Sequence, residues 1–194
     1  MKLINIKKYY RKAILTSVAA CLAIFTMSCS MVTLKFEPNP SKSIVQFKIR
    51  NLGKTVVGTI GNLKGKVSFD PSNIKKAKID ATVDVSSINT GIKLRNKHLQ
   101  AKEYFNAQVF PNIKIHSNSI RKGKREDNIA KMDGILTIKG IEKPLNIDFK
   151  YVKLGSGYIL SSKFEIKRRD FNLGSKKTKA MKDKIEIHLD IVVH

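Results

Sequence analysis

Alternation of apolar and polar residues, recurring from Phe36 to the end of the chain, constrains the fold more than any other feature of this sequence. It is clearest in the last segment, where the odd-numbered residues from 185 to 193 are all aliphatic and Glu186, His188 and Asp190 lie between them. Comparable alternation occurs at 45–49, 79–85, 145–151 and 158–166. Successive side chains of a strand point to opposite faces. This period of two therefore predicts antiparallel strands that are each apolar on one face.

Short clusters of Gly, Asn, Asp and Pro separate the alternating segments, for example at 51–53, 70–73 and 155–157. Such tight connections predict a meander of about eight strands, which buries its apolar face by curling into an up-and-down barrel. Residues 92–105 lack the alternation and are rich in helix formers, so one or two short helices are expected there. The predicted fold class is all-β, with one domain over residues 36–194.

The first 28 residues have the pattern of a secretory signal peptide. Residues 2–12 contain basic side chains and no acid, and a short apolar run follows at 13–28. An uncleaved membrane anchor is the alternative, although the run is short for a spanning helix. The pattern predicts an exported protein that is periplasmic or held at the membrane of the cell envelope.

Residues 26–29, Thr-Met-Ser-Cys, resemble the lipobox of bacterial lipoproteins, in which the cysteine is lipidated. Cys29 is therefore the predicted lipidation site, and residues 29–35 are the predicted anchor or linker. The alternative is an ordinary signal peptide cut near Ser28 or Ser30. The sequence has two cysteines, and the other one, Cys21, lies inside the apolar run. Both therefore precede residue 30, and no disulfide can cross-link the rest of the chain.

The chain is strongly basic, with 38 Lys and Arg against 15 Asp and Glu and a formal net charge of +23. This charge indicates an anionic partner, although the coding bias of an AT-rich genome also explains abundant lysine. Export favours anionic lipid over nucleic acid. The aromatic residues, 7% of the chain and without Trp, fall on the predicted apolar face and not among the basic residues, as base stacking would require. The densest basic cluster, Lys176, Lys177 and Lys179, is either a solvated loop or a phosphate-attracting one.

No pattern in the sequence indicates catalysis. The motifs of serine hydrolases, zinc proteases, nucleotide-binding loops and dinucleotide-binding folds are absent. The four histidines, His98, His116, His188 and His194, are scattered, and a zinc site needs three or four converging ligands. We therefore expect neither an enzyme nor a metal or other cofactor.

Several motifs, in order along the chain, resemble the signatures of the YceI-like family. They are 43–47 with the glycines that follow, 84–91, 95–99, 104–105, 110–113, the "G-x-L-T-x-x-G-x-x-K-P" pattern at 134–144, and 166–174. Together they cover nearly all of residues 36–194. Two positions depart from the family pattern, which commonly has His near Asn51 and Asp at Asn96.

The resemblance implies a lipocalin-like barrel of an exported protein. Its apolar channel is expected to hold a polyisoprenoid or another long-chain amphiphilic lipid without catalysis. The inward-facing side chains expected to line that channel are Val45, Phe47, Ile49, Val83, Phe105, Ile113, Ile115, Phe149, Phe164 and Phe171. Arg95, His98 and Arg169 are the candidates for contacts with a polar head group, and a homodimer is possible.

Two alternatives remain open at this point. Alternation does not distinguish a hollow barrel from one filled by its own side chains. The second alternative is a surface interaction or stress-response protein, whose basic exterior binds anionic envelope components without a buried ligand. For Arg169, the favoured alternative is a structural role, in which Arg168, Arg169 and Asp170 form a turn with its own ion pair.

Overall fold

The computed structural model describes residues 34–124, 126–175 and 180–194. The predicted signal peptide, Cys29 and the basic cluster at 176–179 lie outside the described residues. Within these ranges, no helix is both long enough and apolar enough to cross a membrane.

Within the described residues, ten antiparallel strands form one curled sheet, which confirms the all-β class. Their order across the sheet is β1-β4-β5-β6-β7-β8-β9-β10-β2-β3. The strands from β4 to β10 form the predicted meander, and the first hairpin, β2–β3, pairs with the last strand. The bounds are β1 Lys35–Phe36, β2 Ile44–Asn51, β3 Lys54–Thr59, β4 Lys64–Ser68, β5 Lys78–Asp84, β6 Asn112–Lys122, β7 Ile129–Ile138, β8 Ile141–Leu154, β9 Gly157–Lys167 and β10 Met181–Val193.

The strand count exceeds the expected eight because the short strands show little alternation in the sequence; β1 has only two residues. The predicted helical segment contains one α-helix, α1 (Lys93–Gln100), followed by turns. In the described part of the chain, 3-10 helices span Pro71–Lys76, Val85–Ser87 and Arg168–Phe171.

Burial follows the alternation of the sequence. Along β7, every second residue from Ala130 to Ile138 is buried, and the residues between them are half-exposed. The buried side chains of neighbouring strands meet inside the curl and form the core. The apolar face predicted from the sequence is therefore the inner surface of the barrel.

The N-terminal segment joins two strands that lie far apart in the order of the sheet, β4 and β10. Lys35 and Phe36 pair with β4, whereas Glu37 exchanges backbone hydrogen bonds of 3.0 and 3.2 Å with His194, next to β10. At the β3 margin of the sheet, Thr59 exchanges backbone hydrogen bonds of 2.8 and 2.9 Å with Asn89. These bonds hold the curled sheet in a barrel shape.

Four connections gather at one end of the barrel, which we call the α1 end. They are the β2–β3 turn, the β5–β6 connection with α1, the β7–β8 turn and the β9–β10 connection. The amide of Leu52 donates to the Ala180 carbonyl at 2.9 Å, and the amide of Gly174 donates to the Glu103 carbonyl at 2.8 Å. We call the other end, with the β6–β7 and β8–β9 turns, the opposite end.

Candidate functional site

Two adjoining cavities lie in the part of the barrel that the described residues form. The inner cavity has a volume of about 160 Å³ and lies among the strands. The outer cavity, of about 270 Å³, lies at the α1 end. Six side chains line both cavities and thus mark where they meet: Phe47, Ile60, Ile113, Ile138, Ile166 and Ile187. We call the two cavities together the channel.

Most of the side chains predicted to line a channel do line it. Val45, Val83, Ile115, Phe149 and Phe164 border the inner cavity. Ile49 and Phe105 border the outer cavity, and Phe47 and Ile113 border both. Those on strands converge because inward positions of neighbouring strands share one face of the sheet. Phe105 instead reaches the outer cavity from the turns that follow α1.

Phe171 is the exception among the predicted lining residues. It lies in the 3-10 helix after β9, is 2% exposed, and packs in the core outside the lining of both cavities. The inward residues of β9, such as Phe164 and Ile166, are even-numbered. Residue 171 has the opposite parity and lies beyond the strand, so the alternation of β9 does not direct it into the channel.

Aromatic side chains pack the opposite end of the barrel. Phe69 is fully buried, and its ring centroid lies 6.0, 5.0 and 5.1 Å from those of Phe149, Tyr151 and Tyr158. Phe36 contacts Tyr158 edge to face at 5.7 Å. The barrel is therefore hollow toward the α1 end and filled by its own side chains toward the other.

Polar side chains border the outer cavity where it reaches the surface. Arg95 and His98, one turn apart on α1, both line it, and His98 is exposed. Arg95 donates from Nε to Thr90 Oγ1 at 2.8 Å and from Nη2 to the Thr90 carbonyl at 2.6 Å. The His98 ring meets Tyr104 edge to face at 5.0 Å. The opening thus presents a cation and an imidazole above an apolar interior.

Asn96, where the family pattern commonly has Asp, completes the support of Arg95. Its Oδ1 accepts from the Thr90 amide at 2.9 Å and from Thr90 Oγ1 at 2.7 Å. An amide oxygen therefore orients Thr90 without a negative charge beside Arg95.

Arg169, the third predicted head-group contact, lies away from the channel. Its guanidinium Nε is 3.8 Å from Asp183 Oδ1, and its amide donates to the same oxygen at 3.1 Å. The side chain is exposed and lines neither cavity. The ion pair joins the 3-10 helix to β10 and not to the neighbouring Asp170.

Sequence reasoning missed Arg168, which is 1% exposed and lines the outer cavity. Its guanidinium donates to the carbonyls of Leu173 at 2.8 Å, Ser175 at 3.1 Å and Lys182 at 3.2 Å. Residue 168 continues the inward parity of Phe164 and Ile166 on β9. This parity was the signal in the sequence that could have identified Arg168 as an inward-facing, buried residue.

Charged groups on the outer face of the barrel lie close to one another. His188 lies 2.8 Å from Glu186, and Lys163 lies 3.4 Å from the same carboxylate. The hydrogen bond from His188 is the main reason that the pKa of Glu186 is below its usual value. His116 pairs with Asp80 on the same face. Within the described ranges, no three or more His, Cys, Asp or Glu side chains are grouped as metal ligands.

Comparison with known proteins gives one family. The profile of the YceI-like domain matches residues 36–193. UPF0312 protein plu2095 of Photorhabdus laumondii is 28% identical over 171 residues, which cover 84% of this chain and 86% of that protein. Protein YceI of Salmonella arizonae is 29% identical over 172 residues, covering 84% and 87%.

Among the solved structures that share the fold are the following two. Burkholderia cenocepacia BcnA superimposes with a TM-score of 0.75 at 25% identity, over 80% of this chain and 98% of that one. A polyisoprenoid binding domain from Saccharophagus degradans has a TM-score of 0.65 at 12% identity, over 82% and 97%. Because the sequence identity to the Saccharophagus degradans domain is only 12%, that similarity shows a shared fold and nothing more.

Proposed function

This chain belongs to the YceI-like family, and on that basis we propose that it binds the tail of a polyisoprenoid or similar amphiphilic lipid in its channel, without catalysis, in the bacterial envelope. The observation that carries the proposal is the pair of adjoining apolar cavities that reach the surface at Arg95 and His98. The family membership, together with a structural neighbour described as polyisoprenoid binding, supports a binding role.

The apolar lining supplies the binding energy. Burial of apolar surface contributes about 25 cal/mol per Å², so a tail that loses about 200 Å² of exposed surface gains about 5 kcal/mol before the costs of association. The aromatic packing around Phe69 closes the opposite end. The tail therefore enters from the α1 end and leaves its polar head there.

Arg95 and His98 are the head-group contacts in this proposal. The two hydrogen bonds to Thr90 fix the Arg95 guanidinium at the rim of the outer cavity. A fixed cation beside an apolar cavity favours a lipid with an anionic or strongly hydrogen-bonding head. Arg169 has no part in this contact, because its side chain lies against Asp183.

Native mass spectrometry of protein purified from its own membranes tests the proposal. We expect an adduct with the mass of a long-chain lipid, released on denaturation. Repeated absence of such an adduct contradicts the proposal.

A plugging variant locates the ligand. Ile113 lines both cavities, so Ile113→Phe should fill the junction and lower the uptake of a radiolabelled polyprenol by the delipidated protein. The matched control is Ile135→Phe, at a half-exposed outward position of β7. Equal uptake by both variants would place the ligand outside the channel.

Export and anchoring belong to the same proposal. We propose that residues 1–28 direct export and that Cys29 carries the lipid anchor. Labelling of cells with radioactive palmitate should mark the wild-type protein and not Cys29→Ser. Labelling of both, or of neither, rules out Cys29 as the lipidation site.

A further inference from the structure

The four most exposed large apolar side chains of the described chain all lie at the α1 end. They are Leu94 at 79%, Leu52 at 77%, Val109 at 63% and Ile92 at 52% exposed. Other exposed large apolar side chains, such as Leu154, are less than half exposed. Single exposed apolar residues are ordinary, but a concentration around one opening indicates an interaction surface.

Leu52 occupies a backbone position that does not suit leucine. It forms the two-residue β2–β3 turn with Gly53, and both have positive φ, 51° and 78°. Turns of this kind favour Asn-Gly, because a leucine Cβ is strained at positive φ. The side chain gains little from packing, since most of it is in solvent. Strain without burial indicates that Leu52 serves something other than the fold.

The same end is basic. Arg50, Lys54, Lys93, Lys97 and Lys102 are all exposed. No acidic residue occurs in the sequence from 50 to 54 or from 85 to 102. The segments are adjacent, because Asn51 and Arg95 line the same outer cavity. Exposed leucines among lysines are typical of a surface that inserts shallowly into an anionic membrane.

We propose that the α1 end docks on an anionic phospholipid bilayer, with Leu52 and Leu94 inserted among the acyl chains and the neighbouring lysines on the phosphates. This docking holds the opening of the channel against the lipid surface. It goes beyond the proposed function, because docking requires no ligand in the channel.

Site-specific tryptophan fluorescence tests the orientation in the full-length chain. The sequence contains no Trp, so Leu52→Trp, Leu94→Trp and the control Leu154→Trp, at the opposite end, each carry a single reporter. With vesicles of phosphatidylcholine and phosphatidylglycerol, we expect a blue shift and quenching by brominated acyl chains for the first two only. Quenching of Leu154→Trp to the same extent, or of none of the three, overturns the proposal.

Leu52→Asn separates docking from folding. Asn suits the turn better than Leu does, so the urea midpoint should stay or rise. Loss of one inserted leucine should lower vesicle partitioning about tenfold or more. Leu154→Asn is the matched control and should partition as the wild type does. Unchanged partitioning of Leu52→Asn contradicts the inserted leucine.

Charge variants complete the test. Lys54→Gln, Lys93→Gln and Lys97→Gln combined should lower partitioning on the same vesicles about hundredfold, since each basic residue near an anionic surface contributes about fivefold. The matched control removes the same charge away from the α1 end, by combining Lys42→Gln, Lys66→Gln and Lys75→Gln. Equal losses of partitioning in the two variants would show that the attraction is diffuse and not located at the α1 end.

The oligomeric state without lipid gives a further outcome. A dimer that forms without lipid and that Leu52→Asn dissociates would assign the surface to a second copy of this chain. Either result, the equal losses or the dimer, overturns the proposal.

Discussion

Phe47 of β2 lies directly opposite Gly58 of β3, and its ring fills the space that a side chain at position 58 would need. A Cβ built at residue 58 would lie 2.7 Å from Phe47 Cε1 and 2.9 Å from Thr90 Cγ2. Because Phe47 borders both cavities, this glycine sets where the ring stands at their junction.

Gly58→Ala should therefore push the Phe47 ring into the channel. In an open strand Ala would stabilise by about 0.5–1 kcal/mol over Gly, but the overlap with the ring should outweigh this gain and cost about 1–3 kcal/mol. We expect a lower urea midpoint and reduced polyprenol uptake. In the double variant Gly58→Ala/Phe47→Leu, the smaller side chain at position 47 removes the overlap. The urea midpoint and the polyprenol uptake should then both recover in part. A raised midpoint for Gly58→Ala would show that the ring yields freely.

The buried Arg168 should contribute strongly to stability. Its replacement by Met leaves the buried Leu173 carbonyl and the part-buried carbonyls of Ser175 and Lys182 without this donor, and an unsatisfied buried carbonyl costs about 1–3 kcal/mol. We expect Arg168→Met to lower the free energy of unfolding by about 3 kcal/mol or more. Arg168→Lys should recover only part, because an ammonium lacks the planar fork that reaches several acceptors. Urea denaturation measures both; a fully stable Lys variant would refute the requirement for the fork.

Asp84 should make stability depend on pH in the acid range. Hydrogen bonds from Ser86 are the main reason that its pKa is lowered, and Asn62 and the charge of Lys64 add to them. A carboxyl whose folded pKa is depressed stabilises the protein above its unfolded pKa of about 4. That contribution is lost as the pH falls through the folded pKa.

The test compares Asp84→Asn with the wild type by urea denaturation at pH 7 and at acid pH. An Asn side chain caps as well as Asp does and can also accept the hydrogen bonds from Ser86. The wild type and Asp84→Asn should therefore have similar free energies of unfolding at pH 7. Below pH 4 the wild type should lose more stability than the variant. Asp84→Ala should be about 1 kcal/mol less stable at pH 7. Parallel pH profiles for wild type and Asn would exclude Asp84 as the source.

His98 should discriminate between lipid head groups. His98→Phe keeps an aromatic ring against Tyr104 and removes both ring nitrogens. We expect the affinity for a dansyl-labelled fatty acid to fall about fivefold, which corresponds to the loss of one partly exposed hydrogen bond to its charged carboxylate. The affinity for a polyprenol should change less. Equal losses for both probes would show that the ring acts by packing alone.

The alternation along the chain was sufficient to predict the class of fold and most of the side chains that point inward, whereas the channel itself was implied only by the family resemblance. Val45, Phe47 and Ile113 share inward parity on their strands, so any curl of the sheet brings them together. The prediction for Phe171 was wrong: it lies in a 3-10 helix beyond β9, does not share the even inward parity of that strand, and packs in the core. The same parity, followed one residue beyond β9, would have found Arg168.

The head-group candidates show the limit of local pattern. Arg95 and His98 lie one turn apart on α1, so a helix brings them to one face, which the sequence indicates. That this face borders the channel depends on contacts with distant segments. Arg169 met Asp183 across the β9–β10 connection and not its neighbour Asp170, a pairing that sequence distance does not reveal.

The sequence by itself determined which side chains point inward, because the direction of a side chain along a strand is a local property of the backbone. Only the tertiary structure decided how much space those side chains leave. Whether inward residues meet or stay apart depends on the curl of the whole sheet and on long-range contacts. The Phe69 cluster filled the opposite end, and the small residue at position 58 gave Phe47 room beside an open channel at the α1 end.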